Sequence, residues 1–336
     1  MDILTHCAAA LGALVIILLG CELFTNGIEW LGCRLSLGAG AVGSVLAAVG
    51  TALPETAVPL VAILVLGGEA GREIGVGAIL GAPFMLSTLA FNITAVAVVY
   101  HALRGRRGYR MDVDAQVVGQ DLSYFFVVYA VAILASFLPW HGAKVGVAVG
   151  LLGCYAYYVW LHFRKKSTQE EQELRQLHFC HWREGDPWMW HIIVQVVVSL
   201  AAIVAGAHVF VNALEHLGGY VGISARALSM IVTPIATELP EKFNSVIWVG
   251  HRKDTLAMGN ITGAMVFQSC VPVAVGLIGT AWVLDTASWT SAIIALVSAA
   301  AVYTVLKWKR HLDGRILFLG LPLYIVFIVV ALRSSG

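Results

Sequence analysis

The chain has 336 residues, of which 59% are hydrophobic and only 12% charged, with 21 Lys and Arg against 20 Asp and Glu. A soluble domain carries about 25% charged residues, so this composition excludes a soluble fold and describes an integral membrane protein. The near-zero net charge hides an asymmetric placement of basic residues, which speaks to topology and not to an acidic or nucleic-acid partner.

Apolar runs long enough to cross about 30 Å of hydrocarbon, roughly 20 residues of helix, fall at 7–31, 38–66, 74–100, 119–139, 145–163, 188–215, 222–249, 255–283, 288–306 and 316–332. They predict ten transmembrane helices. The opening "MDILTH" lacks the basic segment of a cleavable signal, so the first span is expected to remain. The connections after the odd-numbered spans hold 16 Lys and Arg, and the other side holds Arg72, Lys144, Arg226 and Arg333. Basic residues collect in cytoplasmic loops, which places both termini outside the cytoplasm. The six cysteines show no paired spacing, and no disulfide framework is expected.

Residues 20–55 align without a gap on residues 206–241 at an offset of 186, with 12 of 36 positions identical. The matches include Asn26 with Asn212, Glu29 with Glu215, Thr51 with Thr237, Pro54 with Pro240 and Glu55 with Glu241, residue types that low-complexity apolar sequence does not repeat by chance. Further on, "GAILGAP" at 77–83 meets "GNITGAM" at 259–265. The offset spans five predicted helices, an odd number, so the second copy enters the membrane from the opposite side. The expected fold is an all-α membrane protein of ten helices in two inverted five-helix repeats, with helices 2 and 7 broken at the centre. The repeats are assigned to 1–163 and 188–336, joined by a hydrophilic cytoplasmic linker at 164–187.

Each copy carries Leu-Pro-Glu into its second span. Proline removes one amide donor and crowds the carbonyl four residues back, so Pro54 is expected to free the carbonyl of Gly50, and Pro240 that of Ala236. Bare carbonyls at membrane depth require protein, water or a cation as partner. Glu55 and Glu241 stand beside them, with Thr51 and Thr237 one turn away. Each mid-membrane carboxylate costs about 3 kcal/mol, and two of them about 5 Å apart repel by a further ~3 kcal/mol at an effective dielectric of 20. A cation or proton removes most of that cost, and a loaded, neutralised site should reorient more freely than an empty anionic one. Counter-transport follows.

At these residues the chain resembles the cation/calcium exchanger superfamily, whose repeated signature reads approximately Gly-Thr-Ser-Leu-Pro-Glu followed by Gly-Asn-x-x-Gly-Ser-Asn. The copies here are "GTALPE" with "GAILGAP" and "ATELPE" with "GNITGAM". The resemblance implies that Glu55 and Glu241 bind a divalent cation directly and that Thr51 and Thr237 add backbone oxygens. The motif serines are replaced by Ala52 and Glu238, those of the next helix by Ala82 and Ala264, and the later polar positions are Leu86 and Gln268. Lost hydroxyls weaken the case for sodium, whereas a close carboxylate pair, Glu238 with Glu241, shares a proton readily. Lys242 either pairs with an acid or stands in for a coupling cation. The implied function is export of Ca2+ or a similar divalent ion against Na+ or H+ by alternating access. The alternatives are a proton-coupled exporter of Mg2+ or Mn2+ and a non-transporting sensor or scaffold.

Expected partners are inorganic cations and the lipid bilayer of a prokaryotic inner membrane, with a homo-oligomer left open; no cofactor, nucleotide, nucleic acid or enzymatic activity is expected. Glu29, Glu215, Asn26 and Asn212 read equally as pathway or interfacial residues. "HFCHW" at 178–182 offers metal donors in His178, Cys180 and His181, though a solvated loop is the preferred reading. "RKKSTQEEQELRQL" suggests a surface helix, too short for the folded calcium-sensing domains of animal exchangers. Asp121, His208 and His216 are assigned hydrogen-bonded packing roles.

Overall fold

The computed structural model describes residues 3–34, 53–164, 176–180 and 187–333. In chain order the elements are α1 (Ile3–Arg34) and α2 (Leu53–Leu60), which continues as a π-helix over Val61–Leu66. Next come α3 (Gly68–Met85), a π-helical stretch at Leu86–Ala90 and α4 (Phe91–Leu103). Strand β1 (Arg110–Met111) precedes α5 (Ala115–Leu134) and α6 (His141–Arg164). The second half holds α7 (Met189–Val221), α8 (Ala225–Gly250), α9 (Asp254–Gly279), α10 (Thr286–Lys309), β2 (Leu312–Asp313) and α11 (Gly320–Arg333), the last preceded by a 3-10 turn at Gly314–Leu319.

Among the described residues, eight helices are long and apolar enough to cross a membrane, and Glu55–Leu66 forms a shorter apolar helix. Helix α8 is not one of the eight because Arg226, Glu238, Glu241 and Lys242 interrupt its hydropathy. It nevertheless runs as one α-helix through Pro234 and Pro240, so the predicted break in helix 7 is corrected to a continuous helix. A proline removes one rung of the ladder, and the rungs on either side persist. The predicted break in helix 2 falls on the first part of that span, residues 38–52, outside the described residues, as do residues 165–175 of the predicted linker helix and His181.

Burial separates a central from a peripheral layer. The most apolar stretch of the α3–α4 unit is 94% buried, against 28% for α1 and 33% for α7. The outer faces of α1 and α7 display Leu4, Leu11, Val15, Val197 and Val198, an apolar exterior suited to lipid rather than water. These two helices pack antiparallel: the His6 and His216 rings meet at a tilt with centroids 4.6 Å apart, while Gln195 donates to the Leu23 carbonyl at 2.8 Å. Their contacts are reciprocal. A Cβ on Gly20 would lie 2.9 Å from Ile203 Cγ1, and one on Gly206 would lie 2.9 Å from Ile17 Cγ1. Adding the repeat offset of 186 converts residues 17 and 20 into 203 and 206, so each contact is the image of the other.

Helices α3 and α8 approach more closely still. A Cβ at Gly77 would come 2.3 Å from the Arg226 carbonyl oxygen, and one at Gly81 would come 2.4 Å from that of Met230. These two motif glycines therefore act as a small-x-x-x-small surface that lets backbone meet backbone. Ser229 of α8 completes the contact by donating to the Ile74 carbonyl at 2.8 Å.

Each end of the bundle is fastened by charge. Arg107, in the α4–β1 connection, donates to both oxygens of Asp254 at 2.7 Å, with both side chains buried. Strands β1 and β2 pair antiparallel beside it, Arg110 opposite Asp313 and Met111 opposite Leu312. Where α3 and α8 begin, Arg226 forms a two-pronged ion pair with Glu73.

Candidate cation site

The central polar residues lie where α2, α8 and α9 pack against one another. Glu55, in the first turn of α2, is buried at 7% exposure. The Tyr155 hydroxyl of α6 lies within electrostatic reach of both the Glu55 carboxyl and the Cys270 thiol of α9.

Midway along α8, Glu238 is fully buried and Lys242 is 1% exposed. The two are one helical turn apart, the spacing at which opposite charges on a helix meet. The Lys242 ammonium also reaches the Asn260 carbonyl of α9 at 3.5 Å. Asn260 in turn donates to Ser245 at 3.2 Å, and Ser245 to the Ala257 carbonyl at 3.1 Å, which fixes the face that α8 presents to α9. Thr237 is buried with its hydroxyl donating to the Thr233 carbonyl at 3.0 Å, leaving its oxygen as an acceptor. Ala236 is half-buried. The backbone of Glu241 belongs to α8, and its side chain lies outside the described residues, as do Gly50 and Thr51 entirely.

Gln268 of α9 is 1% exposed, and neither end of its amide has a hydrogen-bond partner among the described residues. A buried polar group left unsatisfied costs about 1–3 kcal/mol. Such a group suits a site whose occupant supplies the partner, and the amide oxygen is the kind of neutral ligand that a hard cation takes.

Beside this centre stands a network of which sequence reasoning named only one member. Asp121 of α5 accepts hydrogen bonds from Tyr158 at 2.8 Å and from Thr262 at 2.7 Å, which ties α5, α6 and α9 together. The packing role expected for Asp121 agrees with this geometry, while Tyr155, Tyr158 and Thr262 carry no sequence signal beyond being polar within apolar runs.

The repeat-related pairs are not used symmetrically. Asn26 is buried, accepting from Gln195 at 3.0 Å and from the His178 amide at 3.2 Å, so it anchors the linker segment against α1 and α7. Asn212 and Glu215 are exposed, whereas the Glu29 side chain lies outside the described residues. His208 and His216 are exposed rather than enclosed in the hydrogen-bonded packing role expected of them, although the His216 ring lies against His6 of α1.

Comparison with known proteins agrees with this architecture. The sodium/calcium exchanger protein family matches residues 6–164 and 191–333. The inner membrane protein YrbG of Escherichia coli (strain K12) is 22% identical over 278 residues, covering 80% of this chain and 78% of that one. A putative antiporter, CaxA of Alkalimonas amylolytica, is 30% identical over 99 residues, 30% of this chain and 31% of that protein. The crystal structure of an H+/Ca2+ exchanger, CAX, superposes with a TM-score of 0.70 at 14% identity, covering 98% of this chain and 89% of that one. The sodium-calcium exchanger NCX_Mj, soaked with Na+ and Sr2+, gives 0.55 at 18% identity, covering 98% and 99%. At these identities the two structures speak for a shared fold. A multi-pass helical bundle with acids, a lysine and an amide buried at its centre, matched over nearly its whole length, belongs to the sodium/calcium exchanger family of membrane cation antiporters.

Proposed function

We propose that this antiporter exports a divalent cation, Ca2+ or one of similar size, from the cytoplasm in exchange for Na+ or H+ by alternating access. Glu55 and Glu241 are the principal ligands in this reading, with Glu238 as a further ligand or proton carrier. Thr51, Thr237 and the carbonyls of Gly50 and Ala236 supply neutral oxygens, Gln268 an amide oxygen, and Lys242 compensates charge. The observation that carries the reading is the burial of Glu55, Glu238 and Gln268 on three helices that pack together in a bundle with an apolar exterior. A carboxylate at membrane depth costs about 3 kcal/mol, so several are retained where an ion occupies them.

The same reading assigns ten helices in two inverted repeats, 1–163 and 188–336, with both termini outside the cytoplasm. The reciprocal, antiparallel contacts of Gly20 with Ile203 and of Gly206 with Ile17 support the inversion. The basic residues in the connections after the odd-numbered spans support the sidedness.

The test is radiolabelled Ca2+ uptake into proteoliposomes with Na+, K+ or H+ as the only exchangeable internal ion, repeated with Mn2+ and Mg2+ as competitors. Uptake driven by a Na+ or pH gradient, and lost in Glu55→Gln and Glu241→Gln, is the expected result. Gradient-independent behaviour, or full flux in both variants, rules the proposal out. The replaced hydroxyls predict that dependence on pH outlasts dependence on Na+.

A further inference from the structure

The charges in the interior of α2, α8 and α9 give an unusual sum. Apart from Arg226 and Asp254, which are ion-paired to Glu73 and Arg107, these helices carry Glu55, Glu238, Glu241 and Lys242, three carboxylates and one ammonium, for a net of two negative charges. Glu241 enters this sum through the sequence of α8. Lys242 is covalently held, 1% exposed, and directed at the Asn260 carbonyl of the facing helix. It cannot leave when the transported ions do.

Among the described residues, groups on the surrounding helices do not alter the sum. Asp121 of α5 is hydrogen-bonded to Thr262, which lies two residues along α9 from Asn260 and therefore about 200° around that helix. Helix α6 contributes Tyr155 and Tyr158, and α9 adds Cys270, phenols and a thiol that ordinarily carry no charge at neutral pH. On α3, Glu73 is engaged by Arg226 where both helices begin. His208, Glu215 and His216 of α7 are exposed.

We propose that Lys242 permanently fills one monovalent place in the site, so that the protein exchanges one divalent cation for two monovalent ones and moves no net charge. This rests on the antiport reading above. Charge that crosses an apolar barrier uncompensated costs about 3 kcal/mol or more, so the states that reorient are those in which occupants cancel the fixed charge. With a fixed sum of minus two, one divalent or two monovalent cations achieve this equally. Without the lysine, three carboxylates would accept three monovalent cations, the divalent-loaded state would keep one negative charge, and each cycle would carry one charge across the membrane.

The experiment measures the equilibrium Ca2+ distribution in proteoliposomes under a fixed Na+ or pH gradient, with and without a potassium diffusion potential of about 59 mV, at which one charge per cycle shifts the ratio tenfold. The wild-type ratio is expected to stay unchanged, Lys242→Gln to shift it tenfold, and the double variant Glu238→Gln with Lys242→Gln to restore insensitivity. Asp121→Asn is expected to leave the ratio where it is in the wild type. If Lys242→Gln does not fold, the double variant and Lys242→Arg, both predicted insensitive, decide the matter together with the wild type. A tenfold shift in the wild type or in Asp121→Asn, or none in an active Lys242→Gln, overturns the inference while leaving antiport intact. Absence of any coupled divalent flux in the wild type overturns the antiport reading and this inference with it.

Discussion

Helices α3 and α9 carry the matched motifs "GAILGAP" and "GNITGAM", yet they do different work. In α3 and its continuation the buried polar groups turn back on their own helix: Ser87 and Thr88 donate to the Phe84 carbonyl, and Asn92 to that of Thr88. In α9 Ser269 likewise returns to the Met265 carbonyl, but Thr262 reaches Asp121 of α5, and Asn260 reaches Ser245 and Lys242 of α8. Leu86 and Gln268 occupy matching positions in the two copies and are equally buried, one a hydrocarbon and the other an amide without a partner among the described residues. The glycines diverge too. Gly77 and Gly81 admit the backbone of α8, whereas a Cβ on Gly263 would meet the Tyr158 hydroxyl at an ordinary 3.7 Å. A repeated scaffold can thus assign cohesion to one copy and polar chemistry to the other, because main-chain packing depends on small residues and ligand chemistry on the few polar positions between them.

The comparison breaks most severely at the acids. Glu55→Gln in the first half and Glu241→Gln in the second are each expected to weaken divalent binding by at least about 30-fold, since loss of one member of a buried charge pair costs ~2 kcal/mol or more. If only one half responds, the site is not shared. Next in size is Arg107→Ala, which leaves Asp254 buried without its guanidinium and should destabilise the protein by about 3–5 kcal/mol in a reversible unfolding assay.

The helix contacts sharpen the contrast. Gly81→Leu should cost about 1–3 kcal/mol, because the new side chain meets a carbonyl rather than a yielding side chain; Gly263→Ala is expected to be close to neutral by the same thermal measurement. Gln268→Leu, which copies Leu86, should raise stability by about 1–3 kcal/mol while lowering cation affinity. Reduced stability together with unchanged affinity would show that the amide is structural.

The smallest effect lies at the surface. The Arg315 guanidinium hydrogen-bonds Asp313 and holds its carboxyl below the usual carboxylate range. A depressed value in the folded state means that the contribution is present above the ordinary carboxylate pKa of about 3.9 and is lost as pH falls through the folded value. Arg315→Ala should therefore differ slightly from wild type at neutral pH and converge with it in acid, as read by thermal unfolding across pH. Solvent screening of this exposed pair keeps the difference small.

Much of this arrangement was legible from residue order. Long apolar runs predicted the helices, and eight of the expected spans stand as apolar helices at nearly the predicted positions. The offset of 186 linked Gly20 to Gly206 before their reciprocal contacts with Ile203 and Ile17 were known. Two features misled. Proline in α8 suggested a break, but a helix held on several sides tolerates one missing hydrogen bond. The histidines of α7 suggested hydrogen-bonded packing, but both side chains are exposed, His216 meeting α1 through the ring of His6. Gln195, Tyr158 and Thr262 were invisible in sequence because a hydrogen bond between helices depends on rotation and depth, and neither is encoded in local pattern.

By itself, the sequence determined that this chain lives in a membrane and that residues 20–55 recur in pattern at 206–241 with Leu-Pro-Glu in each segment, because hydropathy and repetition are properties of residue order. Only the tertiary structure decided which polar groups share an interior, that Lys242 turns toward Asn260, that Asn26 holds the linker, and that Gln268 is buried with its amide unmatched among the described residues. Those facts depend on which faces of distant helices meet, and that is settled by packing small residues against backbone across the bundle.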